Sequence, residues 1–514
     1  MLGYQLSINA ARRPDDIAVI FGPRRYTYGL LNDRACRLAN GLLTLGVRPG
    51  ERVAALLHNC NYFLECLFAA AKIGAVFVPI NFRLVAREIG MQLEACTPKV
   101  LLAGEGFGES LAAVKGRATF PEHVLWLDDQ PADTASARAH PYESWLVGQS
   151  AGEPAIVVQP GAVAMLLHSS GTTGLPKGAI YTHATALASS SAKIIDFALT
   201  PRDVTVVFGP LFHAGPLMDL VMPLLLRGGR VAIGASRGFD PQRLLGTIAA
   251  ERGTVIPIYP TMLRRVLAEA DVARFDLASL RLIVTGGEAA PIPVIRGVLE
   301  RFAGAGFVNN YGSTEGGPIT CFLEPAESAR KMGSVGKESF SVEVRIADEE
   351  GHALGPGQVG EILVRSPFVC RGYWNRPDLT AQSQRDGWWR TGDLAWRDEE
   401  GFLWISGRSK DLIKSGTESI WPIEVEQVIA ELPGVVEVGV IGVPDQEWGE
   451  AVAAFVVASA DAALDAAGVI EHCRQHLASY KKPRHVRFVA ALPRNTTNKV
   501  DKTALRSLFS SPPP

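Results

Sequence analysis

Short runs dominated by apolar residues alternate with amphipathic segments along much of the chain. ERVAALL at 51–57 and AVFVPI at 75–80 have the composition of buried strands, and the segment at 61–74 between them predicts a helix that ends at Gly74. This order of strand, helix and strand is typical of parallel strands joined by a helical crossover. The same order recurs from 230 to 304, so the pattern predicts an α/β fold class with stacked, mainly parallel layers.

The pattern changes at about residue 333. Short runs at 342–354 and 394–406 turn at acidic and glycine corners, which is typical of β-hairpins. The polar segment at 407–419 is a candidate hinge, and the residues after it mix strands with two predicted helices. We therefore expect a large N-terminal α/β part with a β-rich subdomain, followed by a small α+β domain.

Composition narrows the classes of protein that fit this pattern. The 514-residue chain is 47% hydrophobic and 20% charged, which is typical of a soluble globular protein, and its net charge of −2 provides no field to attract nucleic acid. The seven cysteines form no C-x-x-C pair, which predicts reduced thiols in a cytoplasmic protein. No signal-peptide pattern and no apolar run of about 18 residues is present, so neither secretion nor a membrane span is expected.

A dense cluster of hydroxyl and glycine residues follows the apolar run at 162–167. Backbone N–H groups and short hydroxyls can converge on an anion there without obstruction by Cβ atoms, and a lysine adds positive charge. Pro176 stands where a Walker loop carries glycine, which disfavours a kinase or P-loop ATPase. We predict a phosphate-binding loop, with an ordinary polar loop as the alternative, formed by Ser169, Ser170, Gly171, Thr172, Thr173, Gly174 and Lys177.

Other motifs for catalysis or cofactor binding are absent or out of context. GPGQVG at 355–360 has the glycine spacing of a dinucleotide-binding turn, but the strand-like EILVRS follows it where a helix is required. No His-Glu-x-x-His sequence supports a zinc enzyme, and no Gly-x-Ser-x-Gly sequence supports an α/β-hydrolase. None of these enzyme classes is expected.

Four more motifs follow the phosphate loop: NNYGSTE at 309–315, GWWRTGD at 387–393, GRSKDLIKSGTESIWPIEVE at 407–426 and PRNTTNK at 493–499. In this order, over nearly the whole chain, the sequence resembles the adenylate-forming superfamily of acyl-CoA synthetases, peptide-synthetase adenylation domains and beetle luciferases. The resemblance implies two half-reactions. A carboxylate attacks the α-phosphorus of ATP to give an acyl adenylate and pyrophosphate, and a thiol, commonly that of CoA, then takes the acyl group.

The resemblance also implies domain boundaries. An AMP-binding adenylation domain would span 1–407, with the β-rich subdomain at about 333–407, and a small mobile α+β domain would span 411–514. The hinge between them would be 408–410. Lys410 falls at the family's hinge position, which needs only a residue able to absorb a large change in φ and ψ.

The motif NNYGSTE supplies an aromatic face, a hydroxyl and a carboxylate within a few positions. By the resemblance, Tyr311 packs on adenine with Gly312 beside it, Thr314 contacts phosphate, and Glu315 binds Mg²⁺. Oxygen ligands from one or two carboxylates, together with nucleotide phosphates, suit that ion. A core tyrosine and a solvated glutamate are the alternative.

The resemblance matches three further residues to the nucleotide. Gly287 and Glu288 correspond to positions that flank adenine and the acyl site, with an ordinary strand-to-helix turn as the alternative. Asp393 corresponds to the carboxylate that accepts hydrogen bonds from both ribose hydroxyls. An ionised carboxylate is an acceptor-only group and fits two O–H donors.

Two cations are matched near the C-terminal part. Arg408 corresponds to a second ribose and phosphate contact, and a surface ion pair with Asp411 or Glu418 is the alternative. Lys499 corresponds to the lysine that reaches ATP and the carboxylate in the first half-reaction. There an ammonium group stabilises the charge that builds on the α-phosphate oxygens, whereas a solvent-exposed lysine is the alternative.

The sequence departs from the family pattern at two positions. Asn498 replaces the usual glycine before the catalytic lysine, where asparagine is among the better substitutes for a left-handed turn residue. Thr417 replaces the second glycine of the family's Gly-Gly-Glu after the hinge. Because that loop lines the path of the thiol, this change leaves the identity of the thiol open.

The segment 208–225 lies where the family builds its acyl pocket. His213, which we count among the catalytic residues, stands where amino-acid-activating domains carry an aspartate for the substrate ammonium. Burial of an unpaired ammonium is costly, so we expect an acid without an α-amino group. Apolar side chains are expected to line the pocket, with packing in the core as the alternative: Leu211, Phe212, Met218 and Met222.

These observations together predict an ATP- and Mg²⁺-dependent acyl-CoA ligase for a fatty or aryl acid. The alternatives are a stand-alone adenylating enzyme that loads an acyl carrier protein and a non-catalytic nucleotide-binding module. The expected partners are the acid, ATP and CoA. A carrier protein and a homodimer are left open, and neither nucleic acid nor a membrane is expected.

Overall fold

The computed structural model describes residues 1–117, 119–127, 138–169, 177–416, 418–495 and 499–510. Its α-helices are α1 Leu2–Arg12, α2 Tyr28–Thr44, α3 Asn61–Ile73, α4 Ala86–Cys96, α5 Gly108–Ala112, α6 Tyr142–Val147, α7 His183–Asp196, α8 Ala214–Pro216, α9 Met222–Arg227, α10 Pro241–Glu251, α11 Pro260–Glu269, α12 Ile292–Arg301, α13 Pro377–Ser383, α14 Pro422–Ala430, α15 Ala466–His476 and α16 Lys502–Ser510. A single turn of π-helix, Leu217–Val221, joins α8 to α9.

The strands group by position in the chain. Those of the N-terminal region are β1 Ile17–Phe21, β2 Arg24–Thr27, β3 Arg52–Leu56, β4 Val76–Pro79, β5 Val100–Ala103, β6 His123–Trp126, β7 Arg138–Pro141, β8 Val163–Ser169, β9 Lys177–Thr182, β10 Val204–Val207, β11 Arg230–Ile233, β12 Val255–Pro257, β13 Leu282–Thr285, β14 Gly306–Ser313, β15 Gly317–Leu323 and β16 Lys337–Glu338. Those that follow are β17 Glu343–Ala347, β18 Gly360–Arg365, β19 Gln384–Arg385, β20 Trp388–Arg397, β21 Leu403–Arg408, β22 Ile413–Ser415, β23 Glu418–Ile420, β24 Val435–Asp445, β25 Gly449–Ala458 and β26 His485–Phe488.

Two large sheets, mainly parallel, form the N-terminal part. One has the strand order β7-β6-β5-β3-β4-β8-β9 and the other β16-β15-β14-β13-β12-β10-β11-β1-β2. Antiparallel pairs occur only at their ends, at β8–β9, β1–β2, β14–β15 and β15–β16, among the paired strands of the described ranges. The predicted α/β fold class with stacked, mainly parallel layers is therefore confirmed.

The crossover predicted from 51–80 has the expected form. Helix α3 lies between the parallel neighbours β3 and β4, and its C-cap is Gly74 with φ 68°. Glycine populates this left-handed conformation without the steric cost that a Cβ atom imposes. The core strand β3 carries Val53 and Ala54 with no exposed surface, which explains its apolar composition.

A smaller antiparallel sheet follows, as the hairpin pattern predicts. Its order is β17-β18-β20-β19, with β21 paired to β20. Strand β18 begins at Gly360, so the glycine-rich sequence at 355–360 leads into a strand, as expected, and not into the helix that a dinucleotide-binding turn requires.

The C-terminal region has a sheet of order β23-β22-β25-β24, with β26 paired to β25. Three helices, α14, α15 and α16, accompany it within the described residues, so the expectation of two helices is wrong. Helix α16 was missed because only nine residues carry it and its fully buried residue is Leu505, which gives little periodic signal.

The structure also bears on two expectations from the sequence, which concern the cysteine thiols and membrane-spanning helices. All seven cysteines are buried and free of disulfides. Within the described ranges, no helix combines the length and apolar character that would let it cross a bilayer.

Candidate active site

A cavity of about 1810 Å³ opens between the two large sheets, the β-rich sheet and the C-terminal region. Several of the sequence motifs lie at the ends of strands that border this cavity. Loops that follow parallel strands commonly form binding sites. It is lined by these sequence-predicted residues: Ser169, Lys177, His213, Gly287, Glu288, Tyr311, Gly312, Thr314, Glu315, Asp393, Arg408 and Lys499. The remaining predicted loop residues, Ser170, Gly171, Thr172, Thr173 and Gly174, lie outside the described residues, as do Thr417 and Asn498.

Strands β8 and β9 bring the two described ends of the predicted phosphate loop to the cavity. Ser169 ends β8 and Lys177 begins β9, and the two residues are antiparallel pair partners. The Ser169 Oγ donates a hydrogen bond to Glu315 Oε1 over 2.6 Å. This contact joins the phosphate loop to the NNYGSTE motif, which is far away in sequence.

Glu315 has a second hydrogen-bond donor that the motifs do not indicate. The Tyr373 hydroxyl donates to the same oxygen, Oε1, over 3.0 Å. No described residue donates a hydrogen bond to Oε2. One carboxylate oxygen is thus held in place and the other keeps its lone pairs, which fits the oxygen ligand that Mg²⁺ requires.

Asp393 is the centre of a second cluster. Its Oδ2 accepts a hydrogen bond from the Tyr311 hydroxyl over 2.8 Å, and its Oδ1 accepts one from Arg408 Nε over 3.1 Å. Burial, followed by the neighbouring Asp393 charge, raises the pKa of Tyr311 well above its usual range, so this hydroxyl keeps its proton. The ion-pair partner of Arg408 is Asp393 rather than the Asp411 or Glu418 considered as the alternative.

Lys499 lies in the C-terminal region, next to an antiparallel bridge between Arg494 and Val500. Its N–H donates to Asn495 Oδ1 over 3.0 Å, and the Asn495 N–H donates to the Lys499 carbonyl over 2.9 Å. The Lys499 side chain is exposed to the solvent in the cavity, and protein atoms surround the cavity itself. Burial, followed by the charge of Arg408, lowers the pKa of Lys499.

His213 is the N-cap residue of α8 and is half-buried in the cavity wall. Burial, followed by the charges of Arg83 and Lys499, lowers its pKa to about 3, so the imidazole is neutral at pH 7. Its Nε2 is buried and has no hydrogen-bond partner among the described residues. A neutral ring with one unpaired nitrogen can serve as a hydrogen-bonding group for a bound acid.

The expected apolar lining of the acyl pocket is correct at one position. Phe212 lines the cavity. The side chains of Leu211, Met218 and Met222 are instead fully buried in the core, so the alternative of core packing holds for them. The helical segment lines the cavity with other residues instead, namely His213, Ala214, Gly215, Pro216 and Asp219.

Two family profiles match the chain. The AMP-binding enzyme profile matches residues 6–374, and the profile of the AMP-binding enzyme C-terminal domain matches residues 424–499. The chain belongs to the AMP-binding enzyme family. This result confirms the resemblance inferred from the motifs.

Curated relatives of this AMP-binding enzyme act on both aryl and fatty acids, as their names state. Feruloyl-CoA synthase of Amycolatopsis sp is 38% identical over 503 residues, which cover 97% of each chain. Indoleacetate–CoA ligase of Aromatoleum aromaticum is 37% identical, with 98% of this chain and 97% of the relative covered. Long-chain-fatty-acid–CoA ligase FadD13 of Mycobacterium tuberculosis is 35% identical, with 95% and 94% covered.

Solved structures agree with this assignment. Anthranilate CoA ligase AuaEII in complex with anthranoyl-AMP matches with a TM-score of 0.91 at 28% identity, covering 99% of this chain and 96% of that one. The o-succinylbenzoate CoA synthetase MenE of Bacillus subtilis, in complex with its acyl-adenylate intermediate, matches with a TM-score of 0.86 at 30% identity, covering 99% and 98%. The AMP-binding enzyme described here is an AMP-forming acid–thiol ligase that uses ATP, Mg²⁺ and CoA.

The cavity of this AMP-binding enzyme also contains residues that sequence reasoning missed. They are Asp219, Tyr259, Arg264, Tyr373 and Glu437. Asp219 alone carries a readable signal, since it is the one charged residue in the apolar run 214–226. Nothing in the local sequence distinguishes the other four residues from ordinary surface or core residues. Only the folded structure shows that they lie at the cavity.

Proposed function

We propose that this ligase activates an aryl carboxylic acid, and that the residues around the cavity divide the work of the first half-reaction. A carboxylate oxygen of the acid attacks the α-phosphorus of ATP. The bond from that phosphorus to the bridging oxygen breaks, and pyrophosphate leaves with the electron pair. The CoA sulfur, after loss of its proton, then attacks the acyl carbon and AMP leaves.

The cavity supports a separate role for each charged group. Lys499 stabilises the charge that builds on the α-phosphate oxygens, since it is a cation in a protein-lined cavity where electrostatic interactions are strong. Asp393, held by Tyr311 and Arg408, accepts hydrogen bonds from the ribose hydroxyls with its remaining lone pairs. Glu315 Oε2 would hold Mg²⁺, and the bound ion would neutralise part of the phosphate charge.

His213 binds the acid in this proposal. The neutral ring has a buried Nε2 without a partner, and a hydrogen bond to one carboxylate oxygen would satisfy it. Phe212 beside it supplies an apolar edge for the acyl group. An aryl acid is favoured because aromatic and proline side chains are among those that line the cavity: Phe212, Tyr259, Pro216 and Pro318.

The second half-reaction needs the C-terminal domain to move. We place the hinge at 408–410, between the end of β21 and the start of β22, with the adenylation domain over 1–407 and the C-terminal domain over 411–514. Seven buried thiols favour a reducing cytoplasmic location. A homodimer stays a prediction that light scattering would test.

Acid-dependent exchange of labelled pyrophosphate into ATP tests the first half-reaction. A panel of cinnamic, benzoic and fatty acids should support exchange, with the aryl acids giving the higher kcat/KM. AMP release that requires CoA supports the ligase, whereas release that requires an acyl carrier protein instead would favour carrier loading. A uniform preference for fatty acids would overturn the proposed aryl specificity.

A further inference from the structure

Asp219 places a carboxylate in the wall of the cavity where the surrounding helix is apolar. The residue is 7% exposed and lies in the single π-helical turn Leu217–Val221. Such turns inside helices occur frequently at functional sites. Asp219 also lines the cavity that holds the nucleotide-binding motifs.

The hydrogen-bonding capacity of this carboxylate is unsatisfied. Oδ1 is buried and has no hydrogen-bond partner among the described residues. Lys193 is the nearby cation, but its Nζ donates to the Ile319 carbonyl over 2.9 Å and lies 4.3 Å from the centre of the Phe368 ring. No ion pair within 4.0 Å joins Asp219 to a described basic residue. Burial raises the pKa of Asp219 to about 8, and a buried polar group without a hydrogen-bond partner is costly in either protonation state unless a ligand supplies one.

A second polar atom faces the same space. A Cβ atom placed on Gly215 would lie 3.6 Å from Asp219 Oδ2 and 3.6 Å from the Tyr259 hydroxyl oxygen. The Tyr259 hydroxyl makes no hydrogen bond with a described residue. The missing side chain at position 215 therefore leaves a slot that two polar oxygens flank.

The slot lies at a distance from the reacting carboxylate that suits an aromatic acid. His213 and Lys499 line the same cavity, and the Lys499 charge contributes to the lowered pKa of His213. Asp219 follows His213, the N-cap residue of α8, by six positions, and a helical rise over that number of residues is about 9 Å. A ring carrying a short unsaturated acid chain spans a similar length.

We propose that Asp219 and Tyr259 form a polar subsite that binds a neutral hydrogen-bond donor, a hydroxyl or an N–H group, at the end of the acid remote from its carboxylate. This inference rests on the proposed function and specifies the aryl acid further. A cationic group is disfavoured because Lys193 already supplies positive charge beside Asp219. A hydroxyl fits with particular ease, since it can donate to a carboxylate or accept from a protonated acid.

The test is pyrophosphate exchange with three matched acids: 4-hydroxycinnamate, cinnamate and 4-methoxycinnamate. The wild-type enzyme should prefer the hydroxy acid to cinnamate by about 2- to 10-fold in kcat/KM, the range expected for a hydrogen bond between uncharged groups, since burial raises the pKa of Asp219 to about 8. Tyr259→Phe and Asp219→Leu should each reduce that ratio toward one. The double variant Lys193→Met with Asp219→Leu removes both charges and keeps the test usable if the single aspartate variant does not fold.

Asp196→Asn is the matched control. Asp196 also acts electrostatically on Lys193, but its carboxylate binds Ser339 and the Phe340 N–H and does not line the cavity. Its substrate ratio should equal that of the wild type, whereas a purely structural effect on Lys193 would change it.

Each other outcome is decisive. Equal rates for the hydroxy and deoxy acids in the wild type, or a ratio that Tyr259→Phe and Asp219→Leu leave unchanged, would overturn the subsite while the aryl-acid ligase stands. Preference for 4-(aminomethyl)cinnamate would overturn it in favour of a site for a cation. Absence of exchange with every aryl acid would overturn the proposed acid class and the subsite with it.

Discussion

Glu437 links Arg264 of the N-terminal region to Arg494, five positions before Lys499. Its Oε1 lies 2.7 Å from Arg264 Nη1 of α11 and 2.7 Å from Arg494 Nη2. Arg264 also donates to the Val436 carbonyl over 2.9 Å. We predict that Glu437→Gln weakens the arrangement in which Lys499 reaches the nucleotide.

The structure sets the size of the effect. The three side chains are 21–23% exposed, so the pair across the domains is more buried than a surface ion pair, and we assign it about 1–2 kcal/mol. At about 1.4 kcal/mol for each tenfold change, this lowers the population of the docked arrangement by about 5- to 30-fold. Glutamine keeps the shape and one acceptor oxygen, so the change removes mainly charge.

Two rates measured on the same variant separate docking from general damage. Pyrophosphate exchange should fall in Glu437→Gln, while thioester formation from supplied acyl adenylate should not, because the second step uses another arrangement of the domains. Arg264→Gln should have a similar effect, and the double variant should lose less than the sum of the two, because each change alone already removes the ion pair that they share.

Glu424→Gln is the control for this prediction. It removes an ion pair with Lys481, 2.6 Å long, that lies within the C-terminal domain. This variant should leave the ratio of the two rates unchanged. Additive losses in the Glu437 and Arg264 variants, or an equal loss of both half-reactions, would refute the reasoning.

Other predictions concern the nucleotide and metal. Lys499→Ala should lower adenylate formation by about 10²–10³ and spare thioester formation from supplied adenylate, which the same two rates measure. The Lys499 cation is lost as pH rises through its lowered pKa, so exchange should decline at a lower pH than an ordinary lysine would give, and Lys499→Arg should move that decline upward in a pH profile. Asp393→Asn should raise the KM for ATP by about 10- to 100-fold, and an unchanged KM would contradict its ribose role. Glu315→Gln should raise the Mg²⁺ concentration needed for half-maximal exchange, as a titration at saturating ATP would show.

The fold was predictable where the signal is local. Helix α3 and its end at Gly74 follow from apolar spacing and from the tolerance of glycine for a φ of 68°. Helix α16 was not found, because nine residues with a single fully buried side chain barely differ in pattern from a polar tail. Periodicity therefore indicates an element well only when a long face of it is buried.

The site residues likewise fall into those that a local sequence pattern predicts and those that only the fold brings together. Tyr311, Glu315 and Asp393 were found because motif sequences carry them, whereas Tyr373 contacts Glu315 from 58 positions away and no sequence pattern marks it. Asp219 was readable only as a charge in an apolar run. Its meaning depends on Gly215 and Tyr259, which the fold brings beside it.

The electrostatics of the cavity couple nucleotide binding to domain docking. Lys499 enters a protein-lined space beside Arg408, and burial together with that like charge lowers its pKa, so docking of the charged lysine is unfavourable by itself. The phosphates of ATP supply the negative charge that reverses this cost. Binding and docking therefore favour each other by the same factor, since the coupling free energy between two equilibria is reciprocal. Glu437 lies in the wall of the same cavity, but its ion pairs are with Arg264 and Arg494, so its removal is expected to weaken docking, and with it adenylation, through those contacts.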